Sequence, residues 1–240
     1  MHRFGAARIW VLAGLLATCL AMPAFAGPTF FDGTFNLSDY GSLLTYVTDP
    51  GMTSAVQQAN FGNPGTSMQF TVTFPGAGEF EVYQGMMHNG WGYDPGTQGA
   101  LSSIDFSEDK YIHQNGTITL TGSNIRVLML QGGNYYIAAV PVDVAFDTWE
   151  SGAGTLSATD FDFFDFNTGV FDDTIHPSFS NGVMQFGLAN YYGLTLDGPL
   201  QLDTYYDNLQ ITLNQSVPEP ASLIMLVSGI VGVGAWRKRG

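Results

Sequence analysis

Residues 68–74 read MQFTVTF, and their alternation decides the fold class. Met68, Phe70, Val72 and Phe74 fall on one face of an extended chain and Gln69, Thr71 and Thr73 on the other, because successive side chains of a strand point to opposite sides. A helix would scatter the same four apolar residues around its circumference, so the stretch reads as a half-buried β-strand. Turn residues at 75–78 follow, then a second alternating run, EFEVY at 79–83. GTITL at 116–120, GVMQFGLAN at 182–190 and YYDNLQITL at 205–213 repeat the pattern, with Gly, Pro and Asn between them. NIRVLMLQ at 124–131 and YYIAAVPVDV at 135–144 flank Gly132-Gly133-Asn134, which predicts a hairpin whose continuous apolar strands are covered on both sides. TSAVQQAN at 53–60 is the one stretch read as a short helix. Many short strands over about 190 residues predict an all-β, two-sheet jelly-roll sandwich across residues 27–214.

Within that span, twenty Asp and Glu face only two cations, Lys110 and Arg126. The excess of carboxylates argues against nucleic acid or anionic lipid as partners, since both need Lys and Arg to release counterions. Neutral glycans and calcium are compatible with it.

The two ends carry addresses. Arg3 and Arg8 precede the apolar stretch Ile9–Leu20, and Ala24-Phe25-Ala26 gives a small-x-small cleavage pattern. Residues 1–26 therefore read as a secretory signal peptide cut after Ala26. Cys19, the single cysteine, lies inside it, so the exported chain is expected to hold no disulfide. At the other end, residues 221–236 carry no charge and Arg237, Lys238 and Arg239 follow at once. A helix of that length rises about 24 Å and spans a ~30 Å hydrocarbon core with local thinning or snorkelling, its cations held on the cytoplasmic side. Pro218-Glu219-Pro220, this apolar stretch and the basic tail together resemble the PEP-CTERM sorting signal of Gram-negative bacteria, over residues 215–240. The resemblance implies export through the Sec machinery, transient anchoring in the inner membrane, processing by exosortase, and delivery to the cell surface or exopolysaccharide matrix.

The opening TFFDGTFNLSDYG at 29–41 and the closing YYDNLQITL are similar in layout to concanavalin-A-like and carbohydrate-binding jelly rolls. Strict alternation in the closing strand places Asp207 on the same face as Leu209, Ile211 and Leu213. A carboxylate at the edge of a core needs hydrogen bonds, a counter-charge or a metal. A neighbouring turn could supply the hydrogen bonds; the resemblance implies instead a structural calcium on Asp207 and Asp32, with oxygen ligands.

Three further features bear on function. GMMHNGWGYDPGTQG at 85–99 reads as a Gly-rich loop presenting His88, Asn89, Trp91, Tyr93 and Asp94, in which ring faces stack on sugars and polar groups meet hydroxyls; packing at the rim of a core is the competing reading. Trp149 is a weaker case of the same kind. TDFDFFDFNTG at 159–169 predicts a strand with a β-bulge that keeps phenylalanines in and carboxylates out. Its Asp160-x-Asp162-x-x-Asp165 spacing resembles the carboxylate signature of retaining jelly-roll glycosidases, with Asp for Glu at both outer positions, which leaves each carboxylate one methylene short. It does not match a calcium loop of the EF-hand type. No Gly-x-Ser-x-Gly elbow or phosphate loop occurs, and His88, His113 and His176 lack zinc spacing.

The reading is an exported, non-enzymatic jelly-roll protein that binds polysaccharide or serves structurally at the surface. A matrix-remodelling glycoside hydrolase using Asp160 and Asp165 is the alternative.

Overall fold

The computed structural model describes residues 26–48, 51–116, 118–140 and 145–216. Residues 1–25 of the expected signal peptide, the Pro-Glu-Pro tripeptide, the C-terminal apolar stretch and the basic tail lie outside them. Among the described residues no helix is long and apolar enough to cross a membrane.

Residues Ala26–Gln215 form one compact unit. Its strands are β1 (Ala26–Asp32), β2 (Leu44–Val47), β3 (Met52–Gly62), β4 (Gly65–Phe74), β5 (Gly78–Tyr93), β6 (Leu101–Asn115), β7 (Ile118–Gln131), β8 (Asn134–Val140), β9 (Trp149–Leu156), β10 (Phe161–Asp165), β11 (Val170–Asp172), β12 (Met184–Leu196) and β13 (Leu200–Gln215). One α-helical turn, α1 (Pro95–Gln98), and two short 3-10 turns complete it. The strands make a two-sheet sandwich of jelly-roll type. One sheet runs β3-β4-β13-β6-β9 with β1 also on β13; the other runs β11-β10-β8-β7-β12-β5-β2.

The alternation in MQFTVTF sets its burial: Met68, Phe70, Val72 and Phe74 are enclosed between the sheets. The 132–133 hairpin forms with both glycines at positive φ, 62° and 87°, as a two-residue turn that follows strand twist requires. β7 and β8 are interior strands. Their outward Leu128 and Ile137 lie in a second hydrophobic cluster on the outer face, so these strands are covered on both sides.

Four expectations are corrected. Residues 53–60 belong to β3, paired with β4 from Met52↔Thr73 to Gln58↔Ser67. Pairing with a neighbour overrides a local helical preference carried by Ala and Gln. β10 shows no register shift against β8 or β11, so there is no bulge. Instead Phe161 packs in the interior and Phe164 lies on the outer face, inside the cluster that covers it. The strict alternation assumed for 205–213 fails at Asn208, which takes a positive φ of 52° and shifts the register between Asp207 and Gln210. Asparagine tolerates that region better than most residues. Tyr206 and Leu209 therefore both point into the core, while Asp207 is turned away from it. Finally, β13 extends to Gln215, which pairs with Leu101, one residue beyond the expected end of the sandwich at 214.

The interior is divided. Along β5, β6, β12 and β13 a larger and a smaller hydrophobic cluster are separated by Gln84, Glu108 and Lys110, Asn190 and Thr204, all buried. Lys110 Nζ sits 4.7 Å from the centre of the Tyr192 ring, a cation–π contact. Both carboxylate oxygens of Glu108 are buried without a hydrogen-bond partner among the described residues.

Candidate functional site

The residues expected to form a glycan loop do not form one. The stretch 85–93 is the second half of β5, paired with β12. Of its glycines Gly85 is closely packed, a Cβ there standing 3.0 Å from the Leu128 side chain, and on the facing strand a Cβ on Gly187, opposite Met87, would stand 2.1 Å from the Met86 carbonyl oxygen. Trp91 is 6% exposed, stacked between His88 at 4.3 Å and Phe30 at 5.6 Å. Burial lowers the His88 pKa, against a smaller opposing pull from Asp32 and Asp39. The Tyr93 hydroxyl donates to the Gly99 carbonyl, and Asp94 caps α1 by accepting from the Gly96 amide. Asn89 is exposed and donates to the Ser38 carbonyl. Trp91 and Tyr93 are thus rim packing, their faces closed to a ligand.

Asp160 ends the 3-10 turn just before β10 and Asp165 is the last residue of that strand. At roughly 3.3 Å per residue they cannot reach the ~5 Å separation of a retaining pair. Each is also committed locally. Asp160 accepts from the Ser157 amide and hydroxyl, Asp165 from the Asn167 amide and Thr168 hydroxyl, and these bonds hold both carboxyls below the usual range. Neither is prepared as a proton donor.

Asp32 and Asp207 come near each other on the adjoining strands β1 and β13, Asp32 registered with Leu209 and its charge acting on Asp207. Asp32 Oδ1 accepts from the Thr34 amide, Thr34 hydroxyl and Phe35 amide at 2.7, 2.9 and 2.8 Å, and Oδ2 from the Tyr40 hydroxyl at 2.9 Å. Three donors saturate Oδ1 and a fourth occupies Oδ2, so protein groups supply most of the carboxylate's acceptor capacity. Asp207 accepts from the Asn63 and Asn208 amides. Among the described residues no three His, Cys, Asp or Glu side chains converge as metal ligands. As arranged, the two carboxylates fit hydrogen-bonded structural roles and not a calcium held by both.

A different constellation is open. On the outer face of the six-stranded sheet, Val56 pairs with Gln69, Gln69 with Tyr205, Tyr205 with Tyr111, and Tyr111 with Trp149. These five residues form a row perpendicular to the strands, roughly 19 Å long at the usual strand spacing. Ring centres lie 5.8 Å apart from Tyr205 to Tyr111 and 5.5 Å from Tyr111 to Trp149. Phe61, 40% exposed, leans over them at 4.4 Å from Tyr205 and 5.0 Å from Tyr111.

Polar rows flank the rings. On one side Thr71, Asp203 and His113 are cross-strand neighbours. Asp203 accepts from the Thr71 hydroxyl at 2.6 Å and from the Gln201 amide at 2.9 Å. His113 Nδ1 lies 2.6 Å from Asp147, which also accepts from the Tyr111 hydroxyl at 3.3 Å. On the other side Asp207, Asp109 and Ser151 are neighbours, with Asp109 accepting from Ser151 and from Asn208. The His113 contact holds the Asp147 carboxyl below its ordinary range. Burial, then the Asp147 charge, raises the Tyr111 phenol, so it stays a donor at neutral pH. Half-buried rings bordered by ionised acceptors and hydroxyl or amide donors can stack on the C–H face of a pyranose while bonding its hydroxyls.

Trp149 was singled out in the sequence; Phe61, Tyr111 and Tyr205 were not. Alternation in SEDKYIHQN turns Tyr111 outward, but only the pairing register aligns it with Tyr205 and Trp149.

Residues 216–239 match the PEP-CTERM protein-sorting motif. The motif marks an exported chain that exosortase handles. No curated protein matches the chain. Among solved structures it is similar to a family 11 carbohydrate-binding module from Clostridium thermocellum in complex with a β-1,3-1,4-mixed-linked tetrasaccharide, at 12% identity, covering 82% of this chain and 100% of that one, TM-score 0.40. It is also similar to a β-1,2-glucanase from Parabacteroides distasonis, at 15% identity over 74% of this chain and 24% of that one, TM-score 0.37.

Proposed function

We propose that this protein is a non-enzymatic glycan-binding protein of the cell surface or exopolysaccharide matrix, engaging a neutral polysaccharide along the Tyr205–Tyr111–Trp149 row. The observation that carries the reading is the row itself: aromatic side chains from adjacent strands, left half-exposed and bordered on both sides by hydroxyl-bonding groups. Asp109, Asp147 and Asp203 line the face with no Lys or Arg in either polar row, so uronates and sulfated chains would be repelled. The sorting tail supplies the delivery that such a role needs.

Calcium is not required by this reading, since the geometry satisfies Asp32 with protein donors. Asp207 keeps lone pairs that a calcium could take together with backbone carbonyls, and that possibility is tested by chelation below.

The experiment is a calorimetric titration of the full chain, in mild detergent, with a panel of neutral β- and α-linked oligosaccharides. Tyr111→Ala and Trp149→Ala are each expected to weaken binding by tenfold or more, as central aromatic contacts do at about 2 kcal/mol, while Trp91→Phe leaves it unchanged. Flat isotherms across the panel would overturn the function; binding that survives the Tyr111→Ala, Trp149→Ala double variant would overturn the site.

A further inference from the structure

Sheet edges are normally shielded from one another by charge, proline, shortness or a covering segment. Among the described residues, β9 carries Glu150, β1 carries Pro28 and Asp32, β11 is three residues long with Asp172, and β2 has four residues. The register of β3 shifts between Gln58 and Gly62, but over Met52–Gln58 the strand carries none of these devices. It is eleven residues long, MTSAVQQANFG, at the end of its sheet, without proline or any ionisable side chain. Its outward Met52 and Val56 are 69% and 40% exposed.

Charge identifies the occupant. Two copies of a domain with twenty acids and two cations repel each other wherever carboxylates face. Contact at β3 brings none from either strand, and the strand supplies its own complement, since backbone donors and acceptors of one edge fit those of an identical edge run antiparallel. From these observations we infer that two copies of this chain pair antiparallel through β3 about a dyad near Val56, joining their six-stranded sheets in an isologous interface. Such a register keeps Met52, Ser54, Val56 and Gln58 on the outer face. Because Val56 ends the row that runs through Gln69 to Trp149, the dyad places two rows end to end across ten strands. That last consequence rests on the glycan reading; the pairing does not.

The test uses the full chain in mild detergent on a Cys19→Ser background. Facing residues of an antiparallel pair have Cα atoms about 4.5–5.5 Å apart, inside the range a disulfide spans. Val56→Cys is expected to give a covalent dimer under mild oxidation, whereas Ala153→Cys, exposed on the opposite edge strand β9, gives little. Val56→Lys should shift the otherwise native chain from dimer to monomer in sedimentation. Equal cross-linking at the two edges, or a wild-type chain that sediments as a monomer, would overturn the pairing. Trp149→Ala separates the two readings: it should abolish glycan binding and leave Val56→Cys cross-linking intact.

Discussion

Both outer faces of this sandwich are rich in aromatic residues, yet only one is open. On the seven-stranded sheet Tyr46, Tyr83, Phe164 and Phe166 interlock, with ring centres 4.3 Å apart for Tyr83–Phe164 and 4.8 Å for Phe164–Phe166. Arg126 is stacked near Tyr83 and Tyr191 at 5.4 and 4.8 Å. Phe164 and Phe166 belong to the β10–β11 hairpin, whose Phe164 ring reaches Tyr46 and Tyr83. On the six-stranded sheet the only crossing seen among the described residues is the tip of the β3–β4 hairpin, where Phe61 leans on Tyr205 and Tyr111 and Asn63 bonds Asp207 and Asp109, and Tyr205, Tyr111 and Trp149 remain half-exposed. The same residue types are sealed where a hairpin closes fully over them and stay half-exposed where only a hairpin tip reaches them, so aromatic content alone does not locate a site.

The largest expected effect breaks the covered face. Phe164 is fully buried, and Phe164→Ala should cost about 3–5 kcal/mol, roughly 10 °C or more in melting temperature for a domain of this size. Glycan affinity of the folded fraction should stay within about twofold. Trp149→Ala should do the reverse, leaving melting nearly unchanged while binding falls. If both variants moved the same observable, the division of labour between the faces would be wrong.

A second test concerns the interior that separates them. Burial raises the Glu108 pKa, and the Lys110 charge opposes it; burial lowers Lys110 to about 7. Replacing both, Glu108→Leu with Lys110→Met, should be neutral or stabilising by about 1–4 kcal/mol, as for other buried pairs exchanged for apolar residues. Glu108→Leu alone should destabilise, and unequally with pH. The Lys110 contribution is fully present above its unfolded pKa near 10.5 and is lost as pH falls through about 7. The single variant should therefore melt lower at pH 6 than at pH 9. A flat profile would mean that Lys110 is not buried as a depressed amine.

These contrasts also mark what the sequence could disclose. Strand character at 68–74 and the hairpin at 132–133 were legible because period-two burial and a turn glycine pair are local signals. β3 was not, since TSAVQQAN lacks alternation and its extended form is imposed by β4. Asp207 was placed on the wrong face because a single left-handed residue, Asn208, reverses phase. Trp91 was misread because a long strand that carries Gly85, Gly90 and Gly92 looks locally like a Gly-rich loop, and only its pairing with β12 shows otherwise. The aromatic row depends on cross-strand register among residues 61, 111, 149 and 205, which no local pattern encodes.

The smallest expected effect lies where the open face meets its covered end. Asp32 and Asp207 lie near each other on adjoining strands and titrate in opposite directions. Burial raises both, but at Asp32 the Phe35 and Thr34 amides, the Tyr40 hydroxyl and the Thr34 hydroxyl outweigh it and the pKa is lowered. At Asp207 burial prevails over the Asn63 and Asn208 amides, with Asp109 and Asp32 adding to the rise. Stability from Asp32 is thus present above its ordinary pKa near 3.8 and is lost as pH falls through its lower folded value. That from Asp207 is fully present below 3.8 and is lost as pH rises through its raised one. Asp207→Asn should consequently cost less at pH 7 than Asp32→Asn, because it removes a carboxylate that is under-supplied with donors. A calcium would reverse this order, since it would favour ionised Asp207. At a concentration one hundred times its Kd it would add about 2.7 kcal/mol, roughly 5–10 °C. Excess chelator is expected to leave the melting temperature unchanged. A drop of that size, absent from Asp207→Ala, would establish a metal at the bulge and make this end of the face a built site instead of a hydrogen-bonded corner.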